Sequence, residues 1–233
     1  MRAIRLLNSV IVAVLLCFSS ALAGNFEDAV AAYRKHDYAS ALRLLQPLAD
    51  QGDASAQFNL GTMYANGEGV PQDFAEAAKW FRRAADQGHA DGQFNLGAMY
   101  AEGLGLAQDY SEAARWYRMA ADRGDAKTQF NLGLIYAEGQ GVPRDHAEAG
   151  KWFRKAADQG DAKAQANLGV LYANGLGVPE DLILSCMWFS LAAAQGSEDA
   201  RSARDKLVSH LTPDEIAEAQ RMAREWKPTT PSP

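Results

Sequence analysis

From Asp53 onward the chain alternates two amphipathic patterns. In the first, Ala54, Gln57, Phe58, Leu60, Gly61, Tyr64 and Ala65 fall on one broad face of a helix spanning Ala54 to Asn66. Asp53 stands where a side-chain oxygen accepts from the free N–H groups of a helix start. Gly67 stands where a left-handed residue ends one. After a turn over 67–72, Asp73 opens a second helix, and Glu76 completes a capping-box pattern. The apolar face of that helix is Ala77, Ala78, Trp80, Phe81, Ala84 and Ala85, and Gly88 stops it. The cycle then repeats. Gly52, Gly88, Gly124, Gly160 and Gly196 lie 36 residues apart and frame four blocks, 52–87, 88–123, 124–159 and 160–195. The second-helix caps recur as Asp109, Asp145 and Asp181, and the glycine stops as Gly103, Gly139 and Gly175. A helix pair of this size cannot bury its own apolar face, so a fixed period in this range predicts stacking of neighbours into a solenoid.

The same pattern locates the ends. Residues 24–51 read as a degenerate helix pair, with Phe26, Ala29, Val30 and Tyr33 on one helix. Asp37 caps the other, whose inner face is Tyr38, Ala41, Leu42, Leu45 and Leu48. In the first block the outer slots of the second helix are charged: Glu76, Lys79, Arg82 and Arg83. In the fourth they become Leu184, Met187, Ser190 and Leu191. An open apolar face of that size is an aggregation hazard, so it must be covered. Two helices near Glu198–Leu211 and Pro213–Trp226 are expected to do so, making 196–226 a capping unit. The second begins with the capping box Thr212-Pro213-Asp214-Glu215. Lys227–Pro233 carries three prolines and is expected to be a disordered tail.

Residues 1–23 have the pattern of a secretory signal peptide. Arg2 and Arg5 precede the apolar run Val10–Phe18, and Ala21-Leu22-Ala23 gives a cleavage site. The run is too short for a spanning helix, which needs about 20 apolar residues. An exported protein is expected, periplasmic first and secreted as the alternative. Losing Arg2 and Arg5 would leave 21 basic against 29 acidic side chains, a net charge of −8. That balance gives no support for nucleic-acid binding. Cys186, in an apolar helix, would be the one remaining cysteine and is read as a buried thiol.

The run Ala-x-x-Gln-Phe-Asn-Leu-Gly-x-x-Tyr-Ala-x-Gly-x-Gly-Val-Pro-x-Asp, followed by Ala-x-x-Trp-Phe-Arg-x-Ala-Ala, resembles the Sel-1-like repeat, a branch of the tetratricopeptide-like α-solenoids. The likeness covers Gly52–Gln195 four times over. Departures are Leu106-Ala107 for Val-Pro, Ala166 for the aromatic, and His89 for the capping Asp. The resemblance implies an all-α fold: a right-handed superhelical α-solenoid of antiparallel helix pairs. It also implies an adaptor that binds a protein or peptide, in bacteria often at the cell envelope or in host interaction. A cysteine-rich branch of the family is linked to β-lactam hydrolysis, but its paired cysteines are missing here. A cell-wall or β-lactam-related binder or hydrolase, and a secreted factor that binds a host protein, remain as alternatives.

No catalytic constellation is present. His36, His89, His146 and His210 share no spacing, and no His-x-x-x-His, Cys-x-x-Cys or His-Glu-x-x-His occurs. The Gly67-x-Gly69 turn lacks the Lys-Ser/Thr of a phosphate loop. No enzyme activity, cofactor or metal is expected, and the chain is expected to be a monomer. Lys79, Arg82, Arg83, Arg115, Arg118, Lys151, Arg154 and Lys155 form a basic stripe on the second helices. An acidic partner is one reading; a solvated face with local ion pairs, such as Glu76 with Lys79, is the one we adopt.

Recognition is expected where the repeat varies. On the first helices Ser55, Thr62 and Asn66 align with Asp91, Ala98 and Glu102. They align next with Lys127, Leu134 and Glu138, then with Lys163, Val170 and Asn174. First helices line the concave groove in tetratricopeptide-like solenoids, so this stripe is the candidate partner surface. Asn59, Asn95, Asn131 and Asn167 share the stripe without varying. They are expected to form a ladder of inter-helix hydrogen bonds; gripping an extended peptide backbone is the alternative.

Overall fold

The computed structural model describes residues 24–229, and all regular structure among them is helical. The signal-peptide pattern, with Cys17, and the last four residues of the expected tail lie outside the described residues. Residues 24–34 form helix α1, followed by α2 (Tyr38–Asp50), α3 (Ala54–Asn66), α4 (Phe74–Asp86) and α5 (Ala90–Glu102). Then come α6 (Tyr110–Ala121), α7 (Ala126–Glu138), α8 (His146–Asp158), α9 (Ala162–Asn174), α10 (Leu182–Ala194), α11 (Glu198–Val208) and α12 (Pro213–Glu225). No described helix is long and apolar enough to cross a membrane.

The helices start and stop where the sequence punctuates them. Asp53, Asp125 and Asp161 accept from the backbone N–H three residues on, and so does His89 through Nδ1 at 3.2 Å. His89 therefore replaces the aspartate in function as well as in place. Gly67, Gly103, Gly139 and Gly175 close the first helices at φ between 63° and 73°, a conformation that costs glycine no Cβ clash. At α4 only half of the expected capping box forms. Asp73 accepts from Glu76 N, while the Glu76 carboxylate takes Lys79 Nζ at 2.7 Å. Both halves are present at Thr212 and Glu215.

The chain packs as two compact units, one ending at Ala107 and the other beginning at Gln108. In the first, α2 packs on α3, α3 on α4 and α4 on α5. Its core joins Ala41, Leu45 and Leu48 of α2 to Leu60 and Met63 of α3 and to Trp80. In the second, α6 through α10 pack each on the next, and both α11 and α12 pack on α10.

Close approach in three of the helix pairs depends on a glycine. A Cβ at Gly61 would lie 2.7 Å from the Phe81 ring, at Gly133 2.6 Å from Phe153, and at Gly169 2.7 Å from Phe189. The pairs are also tied by a polar ladder. Gln57, Gln93, Gln129 and Gln165 are buried, and each donates through Nε2 to a carbonyl eight residues back, at 3.0, 3.1, 3.2 and 3.3 Å. Three of them also accept from a second-helix glutamine: Gln57 from Gln87, Gln129 from Gln159 and Gln165 from Gln195, at 2.8 to 2.9 Å. The fourth, Gln93, has no partner for Oε1 among the described residues. The slot of Gln87, Gln159 and Gln195 holds Arg123 in that block.

The C-terminal face is covered. Met187 is 5% exposed and Leu184 and Leu191 are half-buried, packed with Met222, Ala223 and Trp226. Trp226 meets Trp188 edge-on at 6.4 Å. The tail expectation needs a correction at its start. Thr229 donates its backbone N–H to Asp158 O at 2.7 Å, and its hydroxyl reaches the same carbonyl at 3.2 Å. The last turn of α8 leaves that carbonyl without a helical donor, and the chain beyond α12 supplies one.

Candidate partner-binding surface

The varying stripe lies on the solvent side of the first helices. Asn66, Asp91, Glu102, Lys127, Glu138, Lys163 and Asn174 are exposed, while Ser55, Asn59, Thr62, Asn95, Asn131 and Asn167 are half-buried. The opposite faces of these helices carry the buried residues, such as Leu60 and Met63 on α3 or Leu168 and Leu171 on α9. Folding thus leaves the slots of the stripe exposed or half-buried.

The asparagines do not form the expected inter-helix ladder. Asn59 donates to Ser55 O at 2.7 Å and Asn167 to Lys163 O at 2.9 Å, each within its own helix. Asn174 does the same to Val170 O, and Thr62 to Phe58 O. A short amide four residues from a carbonyl of its own helix reaches it without a neighbour. The glutamines hold the ladder instead, their longer side chains spanning to the preceding second helix. Asn95 and Asn131 have no side-chain hydrogen bond among the described residues.

Two shallow clefts gather parts of the stripe. In the first unit Thr62, Asn66 and Asn95 rim a cleft of about 180 Å3 floored by Phe81, Ala98 and Met99. In the second, Lys163 and Asn167 rim one of about 280 Å3 beside Phe130 and Ala166. Ser55, Asn59, Asp91, Glu102, Lys127, Asn131, Glu138 and Asn174 line neither cleft. Phe81 falls on the apolar face of its helix, and Phe81 and Met99 are buried. With Phe130 they line the clefts through gaps between helices, which periodicity does not encode.

The basic stripe behaves as a solvated, locally paired face. Lys79 pairs with Glu76 at 2.7 Å, Arg115 with Glu112 at 2.8 Å and Lys151 with Glu148 at 2.9 Å. Arg82 and Arg118 donate to the hydroxyls of Tyr100 and Tyr136, and Arg154 to that of Tyr172 at 2.7 Å. Arg83 lies over the Trp80 ring and Lys155 over Trp152 at 4.0 Å. The Lys151 hydrogen bond holds the Glu148 carboxyl below its ordinary range, aided by Trp152 Nε1 and Arg118. Cys186 is buried and unbridged, and burial pushes its thiol up, away from the reactive thiolate. Among the described residues no cluster of His, Cys, Asp and Glu is arranged to hold a metal.

The model of the Sel1 repeat matches residues 31–53, 54–89, 90–125, 126–161 and 162–197. The chain belongs to the Sel1 repeat family. The family model takes in part of the N-terminal pair as a fifth Sel1 repeat. Two solved structures share the architecture. One is c5321, a protective antigen of uropathogenic Escherichia coli with an SLR fold, at 34% identity and a TM-score of 0.79. The match covers 89% of this chain but 46% of that one, so the chain spans under half the length of the E. coli protein. The other is a Sel1 repeat protein from Oxalobacter formigenes, at 29% identity and a TM-score of 0.76, covering 87% of this chain and 85% of that one. Among curated proteins none matches significantly. The fold class is thus that of a Sel1-type α-solenoid, all-helical among the described residues with helices packed in consecutive pairs. Sel1-repeat proteins are generally protein-interaction scaffolds.

Proposed function

We propose that the protein is an exported, non-enzymatic scaffold of the bacterial envelope that holds a protein partner against its first-helix surface. The observation that carries this reading is the division of labour within the repeat. The glutamine, glycine and cap slots are consumed by ladders, glycine–phenylalanine contacts and helix ends, whereas the varying slots are exposed or half-buried. Asn95 and Asn131 add amides with no partner of their own among the described residues, placed to meet the backbone of an extended segment. The signal-peptide pattern supports export. The E. coli relative, a protective antigen, points the same way.

The test is capture from the intact envelope. Wild-type protein and a Lys127→Ala, Glu138→Ala, Lys163→Ala variant are cross-linked in place, purified and compared. The variant should lose the captured partner while keeping its helicity, because all three side chains are exposed. Unchanged capture by the variant would sink the surface assignment, and protein retained in the cytoplasm on fractionation would sink export.

A further inference from the structure

The first-helix aromatic slot holds Phe58, Phe94 and Phe130 in three blocks and Ala166 in the fourth. Phe58 shows what the slot normally contains. Its ring stacks on His89 at 4.8 Å and lies 5.8 Å from Phe81, and Phe130 keeps the same 5.8 Å distance to Phe153. In the fourth block the corresponding floor is intact: Phe189 is 4% exposed and packs against Ala166. The slot of His89 is now Ser197, the cap of α11. One large side chain has therefore become a small one, beside a cap slot that holds Asp53, Asp125 and Asp161 elsewhere and Ser197 here, and the neighbouring helices have not closed the gap. What remains is the cleft of about 280 Å3 walled by Phe130, floored by Ala162 and Ala166, and rimmed by Lys163, Asn167 and Ser197.

We propose that this cleft receives an aromatic side chain of the partner protein, its ring standing where the fourth repeat lacks a phenylalanine, with a carboxylate beside it meeting Lys163. The inference rests on the first-helix surface being the partner surface, since Lys163 and Asn167 belong to it. The volume lies just below the roughly 300–1,000 Å3 of small-molecule sites, which suits one side chain better than a cofactor. Phe130 lines the gap and offers a guest ring its face or edge, while Phe189 packs beneath Ala166. The Lys163 ammonium has no partner among the described residues. Asp199, across the rim in the first turn of α11, repels a second carboxylate and so directs the acidic neighbour to the Lys163 side.

Blocked tetrapeptide probes with Phe-Glu, Ala-Glu or Phe-Lys at the centre test this by titration of isotopically labelled protein followed by NMR. The Phe-Glu probe should shift the amides of Lys163, Ala166 and Asn167 and bind about tenfold or more tighter than Ala-Glu. Ala166→Phe restores the sister-repeat ring, so it should raise the melting temperature while abolishing Phe-Glu binding. A gain of stability with a loss of binding excludes misfolding as the cause. Lys163→Glu, on an exposed side chain, should reverse the preference between Phe-Glu and Phe-Lys. Equal affinity for Ala-Glu and Phe-Glu, wild-type binding by Ala166→Phe, or an unchanged preference in Lys163→Glu overturns the proposal. If the probes fail while the triple-alanine variant still loses envelope capture, only this inference falls. If that variant keeps its partner, the scaffold reading falls with it.

Discussion

Replacing Gln165 with leucine should destabilise the protein far more than the same change at Gln93. Both side chains are buried, at 0% and 2% exposure. Gln165 makes two side-chain bonds, donating to Ala157 O at 3.3 Å and accepting from Gln195 at 2.9 Å. Its partners keep other bonds, since Ala157 O still accepts from Gly160 N and Gln195 still reaches Gly160 O. The cost is then two neutral hydrogen bonds at about 1 kcal/mol each, roughly 2 kcal/mol. Gln93 donates one bond, to Ala85 O at 3.1 Å, and its Oε1 is buried without a partner among the described residues. Leucine there forfeits about 1 kcal/mol but removes an unsatisfied acceptor that costs about 1–3 kcal/mol, so the net change is near zero or stabilising. The apolar gain from leucine is common to both and cancels. The gap is about 2 kcal/mol or more, and urea unfolding followed by circular dichroism resolves it. Gln129→Leu serves as a second two-bond case and should behave like Gln165→Leu. Equal destabilisation at Gln93 and Gln165 would refute the ladder as described.

Gly169→Ala puts a methyl group 2.7 Å from the Phe189 ring and should cost about 1–3 kcal/mol by calorimetry. Gly150→Ala would place its Cβ 3.3 Å from Leu171 Cδ1, the end of a flexible side chain that needs to give by only a few tenths of an ångström, so it should instead gain up to about 0.5–1 kcal/mol. Trp226→Ala strips cover from Trp188 and Met187 and should cost on the order of 2–3 kcal/mol, with self-association appearing in light scattering. Burial and the 2.5 Å hydrogen bond to Glu68 push the Tyr33 phenol up to about 12. Its folded value lies above the ordinary one near 10, so its contribution to stability is complete below pH 10 and lost as the pH rises through 12. Ultraviolet titration should show a late-ionising phenol that disappears in Tyr33→Phe, while Tyr38, also pushed up by burial and Glu68, remains.

The helices and their ends were legible because caps and stops are local chemistry: Asp53 or Gly67 acts within three or four residues. The C-terminal cover was legible because Leu184, Met187 and Leu191 break a charged pattern and must be buried. Gln57 and its equivalents were seen on the inner face, but nothing in the spacing showed that they reach back to carbonyls such as Ala49 O. The asparagines were assigned to a ladder because periodicity cannot distinguish a bond across helices from one to Ser55 O or Lys163 O. Ala166 was visible as a departure, whereas the cleft it leaves depends on whether Phe130 and α11 close over it. Thr229 was lost in a proline-rich tail, since its partner, Asp158 O, is 71 residues away in sequence.

The central claim is that the partner sits on the varying first-helix stripe and not on the basic face of the second helices. A photo-activatable cross-linker placed at Glu138, on α7, and separately at Lys151, on α8, decides between them in intact cells, since both positions are exposed. A discrete cross-linked partner is expected from position 138 and none from 151. Cross-linking from 151 with silence at 138 would contradict it.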